Sequence, residues 1–252
     1  MCEHGIIVFM ANSEQGKIIP EDLISKLRIP TEVSGAHSLA TSLLETGLNE
    51  GGFERSVGNC HTEGVDSVVL FDRNNERDGM VRFYYAKQGL HKLSDPHNPK
   101  GDYTVGIHNH RYNLPIIPLF GDIVNVSTEE ATGSAKSQTL HEYRFQSALK
   151  GEGMHAVHAR TLRMKPHEMT SLSPGSLYQM ESHDLHTIMV PENAEKPGAA
   201  WMVIEGVHQK IDPVIYSPRP DLELADSGLY VPMPRARAIE LAEFVYDLAK
   251  RG

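Results

Sequence analysis

The spacing of apolar residues changes character twice along this chain. Residues 1–60 are mixed, with two stretches of helical type. Pro20 to Leu27 reads as a short helix with proline near its start. Ala36 to Leu48 reads as a second helix, closed by Gly51-Gly52. From Asp66 the pattern becomes strand and turn. Ser67 to Phe71 and Met80 to Tyr85 flank the Asn74-Asn75 turn and predict a hairpin. Lys92 to Asp102, rich in Pro, Asn, Asp and Lys, reads as loop, and Tyr103 to His110 as the next strand. Leu114 to Val126 is apolar but interrupted by Pro115, Pro118 and Gly121, which predicts an edge or bent strand. Thr128 to Ser137 is small and polar, a loop. Further strands are expected at Thr139 to Phe145, Arg160 to Met164, Ser176 to Met180, His186 to Val190 and Ala200 to Gly206. About eight short strands between turn signals are the profile of a sandwich or small barrel. After Asp212 the chain is proline-rich and irregular. It closes with a helix, Pro234 to Arg251, whose Ile239, Leu241, Ala242, Phe244, Val245 and Leu248 form one apolar stripe. Lys250 and Arg251 suit the C-terminal end of that helix. The stripe predicts packing on the outside of the β-body.

Composition narrows the function classes. The 252 residues are 40% hydrophobic and 23% charged, ordinary for a globular protein with a full core. A net charge of −9 opposes long-range steering of nucleic acid, so no nucleic-acid partner is expected. The two cysteines, Cys2 and Cys60, exclude a disulfide framework, and neither sits in a CxxC. The start MCEHGIIVFMA lacks the basic region and apolar length of a signal peptide, and no run of 18 apolar residues exists. Cytoplasmic residence without a membrane partner is the expectation.

The candidate chemistry lies in the histidines. His108 and His110 stand two apart on an expected strand, where alternation puts both imidazoles on one face. A third histidine from a later strand would complete a facial metal site with open coordination positions. His141 and Tyr143 share a face of a neighbouring strand and are candidates to move a proton or orient substrate; a polar outer face is the plainer reading. Tyr178, eight residues before His186, is a hydrogen-bond candidate against the plainer reading of a core tyrosine. Arg111 and Arg163 offer planar forks for a substrate carboxylate, against surface salt bridges. His155, His158 and His167 are spread over a loop-like stretch and are not expected to be ligands. His4, His37, His61, His91, His97 and His208 carry no readable spacing. His-Asn-His also spells a nuclease motif, but neither its ββα unit nor a basic surface is visible. A 2-oxoglutarate oxygenase would carry an acid where His110 stands.

These residues resemble the two cupin motifs. The first runs Gly, five residues, His-x-His, three or four residues, Glu, six residues, Gly. His108 and His110 fill the pair and Gly121 closes in register; Leu114 replaces the glutamate, and the opening glycine is off by one at Gly101. The second runs Gly, five residues, Pro-x-Gly, two residues, His, three residues, Asn. Gly175 and His186 keep register, while Glu181, His183 and Val190 replace Pro, Gly and Asn. The register favours His186 as third ligand, with His183 as competitor or as a substrate contact at the barrel mouth. The resemblance covers roughly residues 66 to 206, with a long inter-motif segment from Asp122 to Pro174.

The resemblance implies an all-β-dominated, cupin-type β-barrel or jelly roll with flanking N-terminal and C-terminal helices. On that reading residues 1–60 are an N-terminal extension, 61–211 the barrel and 212–252 a C-terminal extension ending in a helix. It implies a three-histidine metal site, with Fe(II) first and Zn, Ni, Mn or Cu open on ligand type. The function it implies is a non-haem Fe(II) oxygenase or dioxygenase acting on a small polar molecule with O₂. The alternatives are an O₂-independent isomerase, lyase or hydrolase, or a non-catalytic binding protein. A homodimer is the family's habit.

Overall fold

The computed structural model describes residues 33–61, 64–72, 80–87, 106–133, 137–146, 155–191, 196–206, 209, 213–218, 220 and 230–251. The helix expected at Pro20 to Leu27, the loop at Lys92 to Asp102 and the first part of the strand from Tyr103 lie outside these residues. In chain order the elements are α1 (Val33–Glu50), β1 (Val57–Gly58), β2 (Val65–Phe71), β3 (Val81–Lys87), β4 (Ile107–His108), β5 (Leu114–Phe120) and β6 (Ile123–Glu130). They continue with β7 (Gln138–Gln146), β8 (His155–Leu172), β9 (Tyr178–Met180), β10 (His186–Met189), β11 (Gly198–Ile204), β12 (Val214–Ser217), β13 (Val231–Pro232) and α2 (Arg235–Ala249). No described helix is long and apolar enough to cross a membrane.

Two antiparallel β-layers form the body. One is a sheet of order β13-β1-β2-β3-β11-β5-β9; the other is a closed ring, β10-β4-β12-β7-β8-β6. The sheet is covered on both faces, which explains its long apolar runs. Phe83 and Tyr85 of β3, Met202 and Ile204 of β11 and Ile117 and Leu119 of β5 turn toward α1 and α2. The alternate residues Tyr84, Trp201, Val203, Leu114 and Ile116 turn inward, toward the ring. Strands buried on both faces lose the polar alternation that marks a half-exposed sheet. The stripe of α2 (Leu241, Ala242, Val245) packs with Leu43 and Leu44 of α1 in the same outer layer. Burying such side chains stabilises the fold by about 1.5–3 kcal/mol each relative to exposure.

Several boundaries differ from the sequence expectation. Leu114 to Val126 is not one bent or edge strand. It is two strands, β5 and β6, joined through Gly121, and β5 runs inside the sheet between β11 and β9. Gly121 takes φ 72°, and a Cβ there would collide with the Gly198 carbonyl, so the turn needs glycine. The polar loop begins only after Glu130. The stretch holding His155, His158 and His167 is strand, because β8 runs for 18 residues and pairs first with β7, then with β6. β12 lies in the segment read as irregular; four residues beside prolines are too few to show a period.

Candidate metal centre

Three imidazoles meet where the ring faces the sheet. His108 ends β4 and stands opposite His186, the first residue of β10. His186 also stands opposite Ser127 of β6, so one residue joins both sides of the ring. His110 lies two residues beyond the end of β4, so strand alternation is not what aligns the pair. Its neighbour Asn109 is pinned to β12: the Asn109 side-chain oxygen accepts the Val214 N–H at 2.7 Å. The His110 N–H donates to the Ser182 carbonyl at 3.1 Å, just ahead of β10. These bonds turn His110 back toward His108 and His186.

One potential ligand atom from each of His108, His110 and His186 lies within 4.8 Å of the others. The facing Nε2 atoms of His110 and His186 are 2.9 Å apart. Two nitrogens bound at about 2.1 Å and at right angles would stand about 3 Å apart, so the spacing fits a shared cation. The back of each strand-borne ring is held. His186 Nδ1–H donates to Asn125 Oδ1 at 2.7 Å, and His108 Nδ1–H points to the Gly106 carbonyl at 3.4 Å. Each bond leaves Nε2 as the unprotonated, ligating nitrogen. Burial pushes His108 down to about 4, with the Gly106 carbonyl opposing. Burial, then the neighbouring imidazoles, hold His110 and His186 well below the usual histidine range. All three are therefore neutral donors near neutral pH. Among the described residues no carboxylate joins the cluster.

The cluster opens into a cavity of about 50 Å³ that is partly open to solvent. Its wall is chiefly apolar, with Leu114, Ile116, Met180, Ile188, Trp201 and Val203. Leu114, in the place of the motif glutamate, is thus cavity wall. Cys60 also lines it; burial raises its thiol to about 12, so it stays protonated. Beside the cavity, Arg82 pairs with Glu205 at 2.7 Å, largely buried. Arg82 helps lower the pKa of His110.

The other sequence candidates lie apart from the cavity wall. His183 is exposed, its side chain 74% accessible, with Asp184 Oδ1 at 3.8 Å. Arg163 is exposed and donates to the Gly133 carbonyl at 3.4 Å, while Arg111 is half-buried in the loop after His110. Tyr143 is buried and edge-on to His158, ring centroids 5.5 Å apart. His141 Nδ1 meets the Thr161 hydroxyl at 2.9 Å. Tyr178, on β9, is partly buried and packs against the apolar cluster that includes Leu114, Ile116 and Met180. Sequence reading missed Asn125, His61 and the Arg82–Glu205 pair. Only Arg82 left a signal, a charge inside the apolar run Val81 to Tyr85.

An antiparallel β-body with three imidazoles converging inside it is what the resemblance to the cupin motifs implies. No family model matches this sequence, and no curated protein does. Among solved structures it is similar to hydroxypropylphosphonic acid epoxidase from S. wedmorenis, at 11% identity over 60% of this chain and 53% of that one, TM-score 0.32. It is similar to a variant oxalate decarboxylase from Bacillus subtilis, at 10% identity over 60% of this chain and 28% of that one, TM-score 0.32. A conserved Streptococcus pyogenes protein of unknown function matches at 11% identity over 56% of this chain and 74% of that one, TM-score 0.27. This chain therefore spans about half of the epoxidase and about a quarter of the decarboxylase. Likenesses this slight carry no conclusion about its chemistry.

Proposed function

We propose that this chain is a metal-dependent enzyme of cupin type, a non-haem Fe(II) oxygenase acting on a small molecule with an anionic head. The observation that carries this reading is the all-imidazole donor set lining a chiefly apolar cavity. Three neutral ligands leave the charge of a divalent cation uncompensated, which favours an anionic substrate head. Fe(II) held by His108, His110 and His186 would supply a redox-active Lewis acid with open positions. The rest of the work falls to the chain. Asn125 and the Gly106 carbonyl fix the ring orientations. Leu114, Ile116, Met180 and Trp201 exclude water and hold the body of the substrate against the centre. Holding reactants in one geometry removes the entropy cost of bringing them together.

The test is oxygen uptake by apoprotein reloaded with Fe(II), assayed with small carboxylates, thiols and enolisable carbonyl compounds. Uptake is expected to require Fe(II) and to fall at least roughly 100-fold in His110→Ala, the loss of one ligand from a three-ligand site. Uptake unchanged in that variant would overturn the proposal. Native Zn together with turnover under nitrogen would instead support an isomerase, lyase or hydrolase.

A further inference from the structure

The cavity holds a fourth histidine that the metal cluster leaves aside. His61 lines the wall but is not one of the three clustered imidazoles. Its ring stacks on His108, with centroids 4.2 Å apart and planes 16° apart. It stands edge-on to Tyr230 at 5.7 Å. The backbone that delivers this arrangement is left-handed at three points: Asn59 (φ 53°), His61 (φ 65°) and Tyr230 (φ 55°). Asn and His visit that region more readily than most residues, whereas a bulky tyrosine is an outlier there. The two segments are tied by the pairing of β1 with β13 and by the Tyr230 N–H, which donates to the Asn59 carbonyl at 3.2 Å. A strained tyrosine backbone at this side-chain contact, beside a metal cluster, points to function.

The contact also bears on the His61 tautomer. The Tyr230 oxygen lies 2.9 Å from His61 Nδ1. A phenol hydroxyl both donates and accepts, so it can give its hydrogen to Nδ1. A neutral imidazole whose Nδ1 accepts carries its hydrogen on Nε2. The described hydrogen bond of the His61 ring is made by Nδ1, not Nε2.

We propose that the Tyr230 hydroxyl donates to His61 Nδ1, and that His61 is a substrate-binding residue whose Nε2–H holds an oxygen of the substrate's head while the metal binds that head from the other side. With the apolar wall formed by Leu114, Ile116, Met180, Trp201 and Val203, the substrate class is a small carboxylate with an apolar body of a few carbons. The inference rests on the metal-centre reading and narrows its substrate.

The test uses the full chain loaded with Co(II), whose visible absorption reports a ligand entering the metal sphere. Isovalerate is the probe and acetate the control. Isovalerate is expected to bind at least roughly tenfold more tightly than acetate, from its extra buried carbons. His61→Phe keeps its Co(II) and its probe-free spectrum, but weakens isovalerate about 10- to 100-fold, the loss of a hydrogen bond to a charged group. His61→Gln, which carries an amide donor, recovers most of that affinity. Tyr230→Phe loses part of it, and these two variants carry the test should His61→Phe not fold. Unchanged isovalerate affinity in His61→Phe overturns the inference. So does loss of Co(II) in that variant, which would make His61 a ligand, or a loaded wild type that does not prefer isovalerate to acetate. A wild type that takes up no Co(II) overturns the metal centre and this inference with it.

Discussion

Asn125 shows how much one side chain can decide. It is fully buried on β6, and its Oδ1 holds His186 in the tautomer that aims Nε2 at the other imidazoles. Its Nδ2 has no partner among the described residues. A buried donor left without a partner costs about 1–3 kcal/mol, so this amide is retained against a stability cost. Replacing it with an apolar isostere should relieve that cost and release the ring. Asn125→Leu is therefore expected to lower metal affinity about 10- to 100-fold, as for other groups that orient a ligating histidine. Asn125→Asp, which keeps the acceptor, should bind at least as tightly as wild type. Competition with a chromophoric chelator measures both, and equal affinity in Asn125→Leu would refute the role. At this scale the sequence was legible where function shows as spacing: His108, His110 and His186 fall at fixed intervals from Gly121 and Gly175. Asn125 and His61 were not, because their partners lie 61 and 169 residues away. No periodicity records a contact made only by folding.

Among elements, the pairing of β7, β8 and β12 is locked by charge. Glu142 on β7 is buried and accepts from Arg160 of β8 at 2.8 Å and from the Tyr216 hydroxyl of β12 at 3.0 Å. Burial alone would raise its pKa, but the hydrogen bonds from Arg160 and Tyr216 outweigh it and hold the carboxyl below its usual value of 4.5. A carboxylate depressed in the folded state stabilises above its unfolded pKa and loses that contribution as pH falls through the folded one. Glu142→Gln should therefore be less stable than wild type near pH 7, with the gap closing as acid protonates the wild-type carboxylate below about pH 4.5. Urea midpoints taken from pH 7 to pH 3 read the difference; a gap independent of pH would refute the assignment. The strands themselves were largely readable, as was α2, whose stripe survives because only one face is covered. What hid was the break between β5 and β6, where the chain passes from the sheet to the ring. A sheet packed on both faces gives unbroken apolar text, in which a turn marked by one glycine looks like a bend.

For the whole molecule, the three ligands tie distant stretches together, so binding and folding are linked. Anything that binds only the folded state adds RT ln(1 + [L]/Kd), about 2.7 kcal/mol at a free concentration of 100 Kd. For a chain of this size that amounts to a rise of roughly 5–10 °C in Tm. Calorimetry of apo and metal-loaded protein should show such a rise, and His110→Ala should not. An equal rise in that variant would place the metal elsewhere.

The position of His186 gives this linkage a particular form. It faces His108 on one neighbouring strand and Ser127 on the other, at the seam where β10 closes the ring. A slip of a single rung there would swing the imidazole out of the interior and leave the hoop unsealed. A cation gripped at that point acts as a rivet through the seam, so this chain would proofread its own strand register by whether it can hold the ion.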